Sequence, residues 1–272
     1  MQVFKQIVEW LATETENVPP SYGILHLTFV ALFAIGTFLL CYFFKNCSDK
    51  TMRRITLIVW IPFFILEILK QLVFTAGYDW QYQWAFFPFQ LCSTPLYVMP
   101  FIAFMKDSKF RDALMAYIST FAFFGGLVVF IYPNDVFCWS IFVNHKAMIH
   151  HGTQLLMGVF YFVYNRKKVD LKYFVRAIYV FLVCSAIAIV FNEIGHATIV
   201  KNNPEQMINM FYFSRFYKNH LPILGPISEA VHPILFIVIY IVGFTGVGLL
   251  MQYIMVGIDK LIQKFKAKKD AN

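Results

Sequence analysis

Cys92, in the stretch FPFQLCS, and the adjacent pair His150 and His151, in IHHGTQLLMG, are the residues of this chain best suited to covalent chemistry. A thiol attacks as the thiolate, so it needs a base or a positive charge beside it. An imidazole supplies either. Gln90, two residues before the cysteine, and Asn192 carry amide donors of the kind that hold a developing oxyanion. Adjacent side chains on a helix point about 100° apart, so one histidine is expected to face Cys92. His150 is preferred, because Gln154 lies four residues on and Gly158 four beyond that, giving one polar and small stripe.

Further ionisable groups sit inside apolar sequence. Glu67 and Lys70 are three apart in FFILEILKQLVF and share a helix face. They read as a compensated ion pair, with a headgroup contact or proton relay as the functional alternative. Asn192, Glu193 and His196 close one apolar run, and His232 opens another. A metal set of His150, Glu193, His196 and His232 lacks HExxH or similar spacing, and the five cysteines (Cys41, Cys47, Cys92, Cys138, Cys184) form no CxxC pair. No metal and no other cofactor is expected.

The elements that position these groups follow from composition. The chain has 272 residues, 59% hydrophobic and 14% charged, with 32 Phe. That is too apolar for an ordinary soluble domain. Seven stretches approach the roughly 20 apolar residues needed to span a bilayer: 23–44, 55–76, 85–105, 113–132, 143–164, 173–195 and 230–257. Backbone groups in lipid must be paired internally, so the expected fold is all-α, a seven-helix polytopic bundle. Residues 1–22 read as an interfacial segment, with Phe4, Ile7, Val8 and Leu11 at helical spacing and no signal-peptide pattern. Residues 23–257 form the transmembrane domain and 258–272 a basic cytoplasmic tail.

Lys and Arg alternate between connections. Lys45, Lys50, Arg53 and Arg54 follow the first span, Lys106, Lys109 and Arg111 the third, and Arg166, Lys167, Lys168 and Lys172 the fifth. The positive-inside rule then puts the N-terminus outside and the C-terminus inside a multi-pass protein of the cell membrane. The net charge of +8 is accounted for by this pattern and by attraction to anionic lipid, so no nucleic-acid partner is expected. Arg215 and Lys218 read as interfacial anchors among aromatics.

With this orientation, Cys92, His150, His151, Glu67, Lys70, Asn192, Glu193, His196 and His232 all fall in the outer halves of their spans. Charged groups at such depth face a bundle interior or a wet cavity. One outward-opening polar cavity is expected. Pro88 and Pro95 flank Cys92, and a proline at 95 cannot donate to the carbonyl of residue 91, so span three is expected to bend at the thiol.

The motif order FPFQLCS, IHHGTQLLMG, a late Asn in span six, KNNP and LPILGPI resembles the YwaF family of bacterial integral membrane proteins. That family is distantly related to a eukaryotic transmembrane acyltransferase that remodels ether phospholipids. The resemblance covers roughly residues 20–258. It implies a cysteine nucleophile on span three, here Cys92, and a histidine at His150 or His151. The sequence departs from the family pattern at Gln90, where a histidine is frequent, and at His196-Ala197, where an Asn-Tyr pair is frequent.

Two functions follow as expectations. One is a lipid acyltransferase or hydrolase that uses the Cys–His pair on a phospholipid, with Gln90, Glu67, Lys70, Gln154, Asn192, Glu193, His196 and His232 around the substrate. The other is a non-enzymatic transporter, ligand-binding protein or assembly partner for a membrane or exported protein.

Overall fold

A computed structural model describes residues 2–270 except Asp135, Lys218 and His220. Among them the protein is helical, and the one β contact is an isolated bridge between Glu14 and Ser140. Helix α1 (Gln2–Leu11) buries Val8 and packs on α3. Helices α2 (Ile24–Phe44) and α3 (Asp49–Gly77) follow. Ser48 caps α3 by accepting from the Thr51 amide at 3.2 Å, as its position before the helix requires. Helix α4 (Pro95–Phe104) is short. Helices α5 (Lys109–Tyr117) and α6 (Phe123–Ile131) are one continuous rod joined by a π turn at 118–122. Helix α7 (Ile141–Asn165) starts at the Ser140 cap, and α8 (Leu171–Gly195) at the Asp170 cap, which accepts from Tyr173 N at 2.7 Å. A π turn extends α8 through 196–200. Helices α9 (Leu224–Ala230) and α10 (Pro233–Asp270) complete the chain.

Among the described residues, five helices are long and apolar enough to cross a membrane: Ile24–Phe44, Asp49–Gly77, Lys109–Ile131, Leu171–Val200 and Pro233–Phe265. Two expected spans differ from these. Helix α7 has the length, 25 residues, but carries Asn144, His145, Lys146, His150, His151 and Gln154 along it. The third span, expected over 85–105, is not a continuous helix. It comprises a 3-10 turn at Trp84–Phe86, extended chain, a second 3-10 turn at Leu91–Ser93, and α4. Pro88 has no amide proton to donate, and Pro95 takes the first position of α4, where none is needed.

Expected helix ends move as well. The basic segment from 258 continues α10 instead of leaving the helix. The long connection before α9 is folded, with a 3-10 turn at Met210–Tyr212 in which Phe211 and Tyr212 both have φ 57°. Non-glycine residues adopt that region only when their surroundings hold them there.

The core lies where α5, the 118–122 turn, α7 and α8 meet, around Tyr117, Phe121, Met157, Phe160, Tyr161 and Phe181. Helix α2 leans on α7, and His26 is its one fully buried side chain. Close approach of α6 to α7 depends on Gly126, where a Cβ would stand 2.6 Å from the His151 carbonyl. At the end carrying the 105–108 and 166–170 connections, buried Arg111 bonds Asp49 at 2.5 Å and Asp107 at 3.0 Å, and Lys168 bonds Asp112 at 3.1 Å. Arg111 and Lys168, read from the sequence as orienting charges of the connections, also tie α3, α5 and the α7–α8 connection together.

Candidate functional site

The break in the third span puts Cys92 on a 3-10 turn, and neighbouring side chains satisfy the backbone groups that the prolines release. Thr94 Oγ1 donates to the Leu91 carbonyl at 2.7 Å, the acceptor that a residue-95 amide would otherwise serve, and it shares a 2.7 Å hydrogen bond with Tyr117. Gln90 Nε2 donates to the Asn209 carbonyl at 2.8 Å, and Trp60 Nε1 to the Leu96 carbonyl at 2.8 Å. His150 Nε2 lies 2.9 Å from the Cys92 carbonyl oxygen.

The ring of His150 is set from the other side by Lys146, whose Nζ is 3.1 Å from Nδ1. An ammonium only donates, so Nδ1 accepts and Nε2 carries the hydrogen given to Cys92 O. Lys146 also pairs with Glu67 Oε2. Glu67 Oε1 pairs with Lys70 at 2.7 Å and accepts from Gln71 Nε2 at 2.8 Å. The expected Glu67–Lys70 pair is therefore present but shared, because Lys146 reaches the same carboxylate. Two ammonium groups around one carboxylate leave an excess of positive charge near the thiol. Lys70 and Gln71 further hold the 84–86 turn through the Phe86 carbonyl, at 3.3 and 2.7 Å.

These groups enclose a cavity of about 350 Å³. Cys92, His150, His151, Lys70, Lys146 and Gln90 line it, with Asn209 and Tyr212 from the folded connection before α9. Both histidines face it, their ring centres 5.1 Å apart, where one was expected. Glu67 stands behind the two lysines. Gln154 is buried behind the histidines and donates to the His150 carbonyl at 3.3 Å, with His151 Nδ1 at 3.5 Å.

The remaining candidates stand apart from this cavity. Asn192 clamps Met210, donating to its carbonyl at 3.1 Å and accepting from its amide at 2.7 Å. It thereby holds the strained Phe211–Tyr212 turn that forms part of the cavity wall. Glu193 pairs with Arg215 at 2.7 Å, and His196 stacks on Phe216 at 3.5 Å between ring centres. His232 is exposed and accepts from the Ile234 amide at the start of α10. Equal depth in the sequence did not bring these groups to Cys92, because they project from their helices toward other neighbours. Lys218 lies outside the described residues. Among the described residues no three His, Cys, Asp or Glu side chains converge as a metal site.

Lys146 is the residue that spacing reasoning passed over. Its signal was present, since Lys146, His150 and Gln154 recur every four residues on one face.

A profile described as the TMEM164 family matches residues 21–256. The chain belongs to the TMEM164 family. TMEM164 is a transmembrane protein family, which accords with the apolar helices, and the match runs from just before α2 into α10. It therefore includes every residue of the Cys92 cavity. No curated protein and no solved structure matches the chain.

Proposed function

We propose that this TMEM164-family protein is a seven-span protein of the cell membrane, N-terminus outside, that transfers or hydrolyses acyl groups of outer-leaflet phospholipid through Cys92. The two spans beyond the five long apolar helices are α7 and the broken segment ending in α4. The observation that carries the chemical reading is the Glu67–Lys146–His150 chain ending at residue 92 inside a cavity. The resemblance to YwaF and its acyltransferase relatives supports the same residues.

In this reading the thiol proton passes to His151, since both ring nitrogens of His150 are engaged by Lys146 and the Cys92 carbonyl, and the thiolate attacks an ester carbonyl carbon. A C–S bond forms and the carbonyl electrons move to oxygen, which cavity donors stabilise. Collapse breaks the ester C–O bond. The leaving lysolipid oxygen takes the proton back from imidazolium, and the acyl group stays as a thioester. A lysolipid hydroxyl or water then attacks the thioester, giving its proton to His151, and the released sulfur recovers it. Lys146 and Lys70 favour each anionic stage.

A binding-only reading is favoured by one observation: His150 Nε2 addresses the Cys92 carbonyl, not its sulfur. The two are separated by mass spectrometry of the purified protein incubated with phospholipid. A hydroxylamine-sensitive acyl adduct on the Cys92 peptide, lost in Cys92→Ala, is expected. Absence of the adduct, with no lipid turnover by the parent protein, leaves the binding reading.

A further inference from the structure

At the end of the bundle opposite the Cys92 cavity, a groove of about 540 Å³ runs between α2, α7 and α10. Its walls are apolar, formed by Phe38, Phe162, Met251, Met255, Ile258 and their neighbours. On α2 it extends from Thr37 to Lys45 and on α10 from Met251 to Gln263, which at helical rise is about 12 and 18 Å. One leaflet of hydrocarbon is about 15 Å deep. The groove thus has the length of one lipid tail region and lies in one half of the membrane.

Its outer rim is charged. Lys45 and Arg166 line it, with one carboxylate, Asp259, which accepts from Gln263 within the same helix at 3.4 Å. Lys45 Nζ stands over the Tyr42 ring, 5.4 Å from its centre. Arg166 Nη2 donates to Asn46 Oδ1 at 3.3 Å, which keeps the guanidinium beside the α2 terminus. Lys167 and Lys260 adjoin this rim in sequence and add positive charge. An apolar trough of leaflet depth that ends in a lysine and an arginine matches an anionic lipid at both ends.

We propose that this groove is a binding site for one anionic phospholipid, its chain along α2 and α10 and its phosphate between Lys45 and Arg166. The proposal rests on the membrane setting of the helices and not on the acyl-transfer reading. The site is remote from Cys92, so each can fail without the other.

Cys41 lines the groove and reports on its occupancy. The full chain is placed in nanodiscs of phosphatidylcholine, with and without phosphatidylglycerol. Alkylation of Cys41 by an apolar maleimide is followed by peptide mass spectrometry. Phosphatidylglycerol is expected to slow Cys41 alkylation. In Lys45→Gln with Arg166→Gln, the preference for the anionic lipid should fall about 30-fold, the effect of two lost surface cations. Lys50→Gln with Arg54→Gln removes equal charge at the same end, outside the groove, and should keep the protection. Equal rates in the two discs, or equal loss in the control pair, overturns the proposal. So does protection that appears in phosphatidylcholine alone as the number of copies per disc rises, which marks a second copy of the chain as the occupant. If the first pair of changes does not fold, Thr37→Trp fills the groove instead. Native mass spectrometry should then show loss of one retained phosphatidylglycerol, and an unchanged lipid count overturns the assignment.

Discussion

Glu67 on α3 and Lys146 on α7 form an ion pair across the bundle, and both side chains are almost fully buried. The carboxylate also holds Lys70, so the three charges form one unit with an unequal balance. Removing one partner of a buried pair leaves the other uncompensated, at a cost of about 3–5 kcal/mol. Glu67→Gln strips the partner from two ammonium groups and should be the most damaging single change. Lys70→Met leaves Glu67 and Lys146 paired and should cost far less. Glu67→Gln with Lys146→Met should recover part of the loss. Thermal unfolding in detergent measures all three, and equal shifts for Glu67→Gln and Lys70→Met would show that the carboxylate is not shared.

Gly126 and Gly243 provide a paired test of helix packing. A Cβ at Gly126 meets the His151 carbonyl at 2.6 Å and Gln154 Cβ at 2.9 Å, whereas one at Gly243 meets nothing within 4 Å. Gly126→Ala must push α6 from α7 at the histidine pair, at about 1–3 kcal/mol. Gly243→Ala should be neutral or stabilising by up to about 1 kcal/mol, through helix propensity alone. A Gly126→Ala protein as stable as the parent would refute the close contact.

Much of this arrangement was legible in the sequence because its causes are local. Apolar length located the five long helices, and the prolines around Cys92 marked the break. Spacing by three and four identified the Glu67–Lys70 face and the His150–Gln154 stripe. What the sequence did not reveal depends on rotation about helix axes and on chain that returns from far away. Depth placed Asn192, Glu193, His196 and His232 level with Cys92, but depth carries no azimuth. Arg215 takes Glu193, Phe216 takes His196, and Asn192 turns to Met210. The cavity wall from Asn209 and Tyr212 belongs to a connection whose fold depends on bonds to residues distant in sequence, Gln90 to Asn209 and Trp84 to Gln206, and on the Asn192 clamp.

Asn192 is accordingly expected to act on shape. Its amide satisfies both the N–H and the C=O of Met210, beside two residues in a strained conformation. Asn192→Ala leaves both buried groups unpaired, each worth about 1–3 kcal/mol. The 201–223 connection should loosen and become a site of protease nicking, while helix content is retained. Limited proteolysis with mapping of the cut measures this. An unchanged cleavage rate would mean that the Gln206 and Gln90 contacts hold the connection without the clamp.

Orientation is tested by thiol labelling in intact cells. Cys138 precedes α7 at the end that carries the Cys92 cavity, and position 167 follows α7 at the other. In a background lacking the other cysteines, a membrane-impermeant maleimide should label Cys138 from outside and should not label Lys167→Cys until the cells are opened. Labelling of position 167 in sealed cells would invert the bundle and place the cavity in the inner leaflet.

The two histidines should separate by what each one holds. His150 donates to the Cys92 carbonyl and accepts from Lys146, so its ring links α7 to the turn that carries the thiol. His151 lines the same cavity, and its nearest polar contact is Gln154 on its own helix. His150→Ala therefore removes a tie between segments and takes the partner from a half-buried carbonyl, at about 1 kcal/mol. The 90–94 turn should loosen, and Cys92 should react faster with a small neutral alkylating reagent. His151→Ala breaks no bond between segments and should leave both stability and the alkylation rate near the parent values. With His151 taking the proton and His150 holding the turn, both changes lower formation of the Cys92 acyl adduct, although only one destabilises the fold. Equal destabilisation by the two changes would contradict the bond network. Loss of the adduct in His150→Ala alone would assign the proton to that ring.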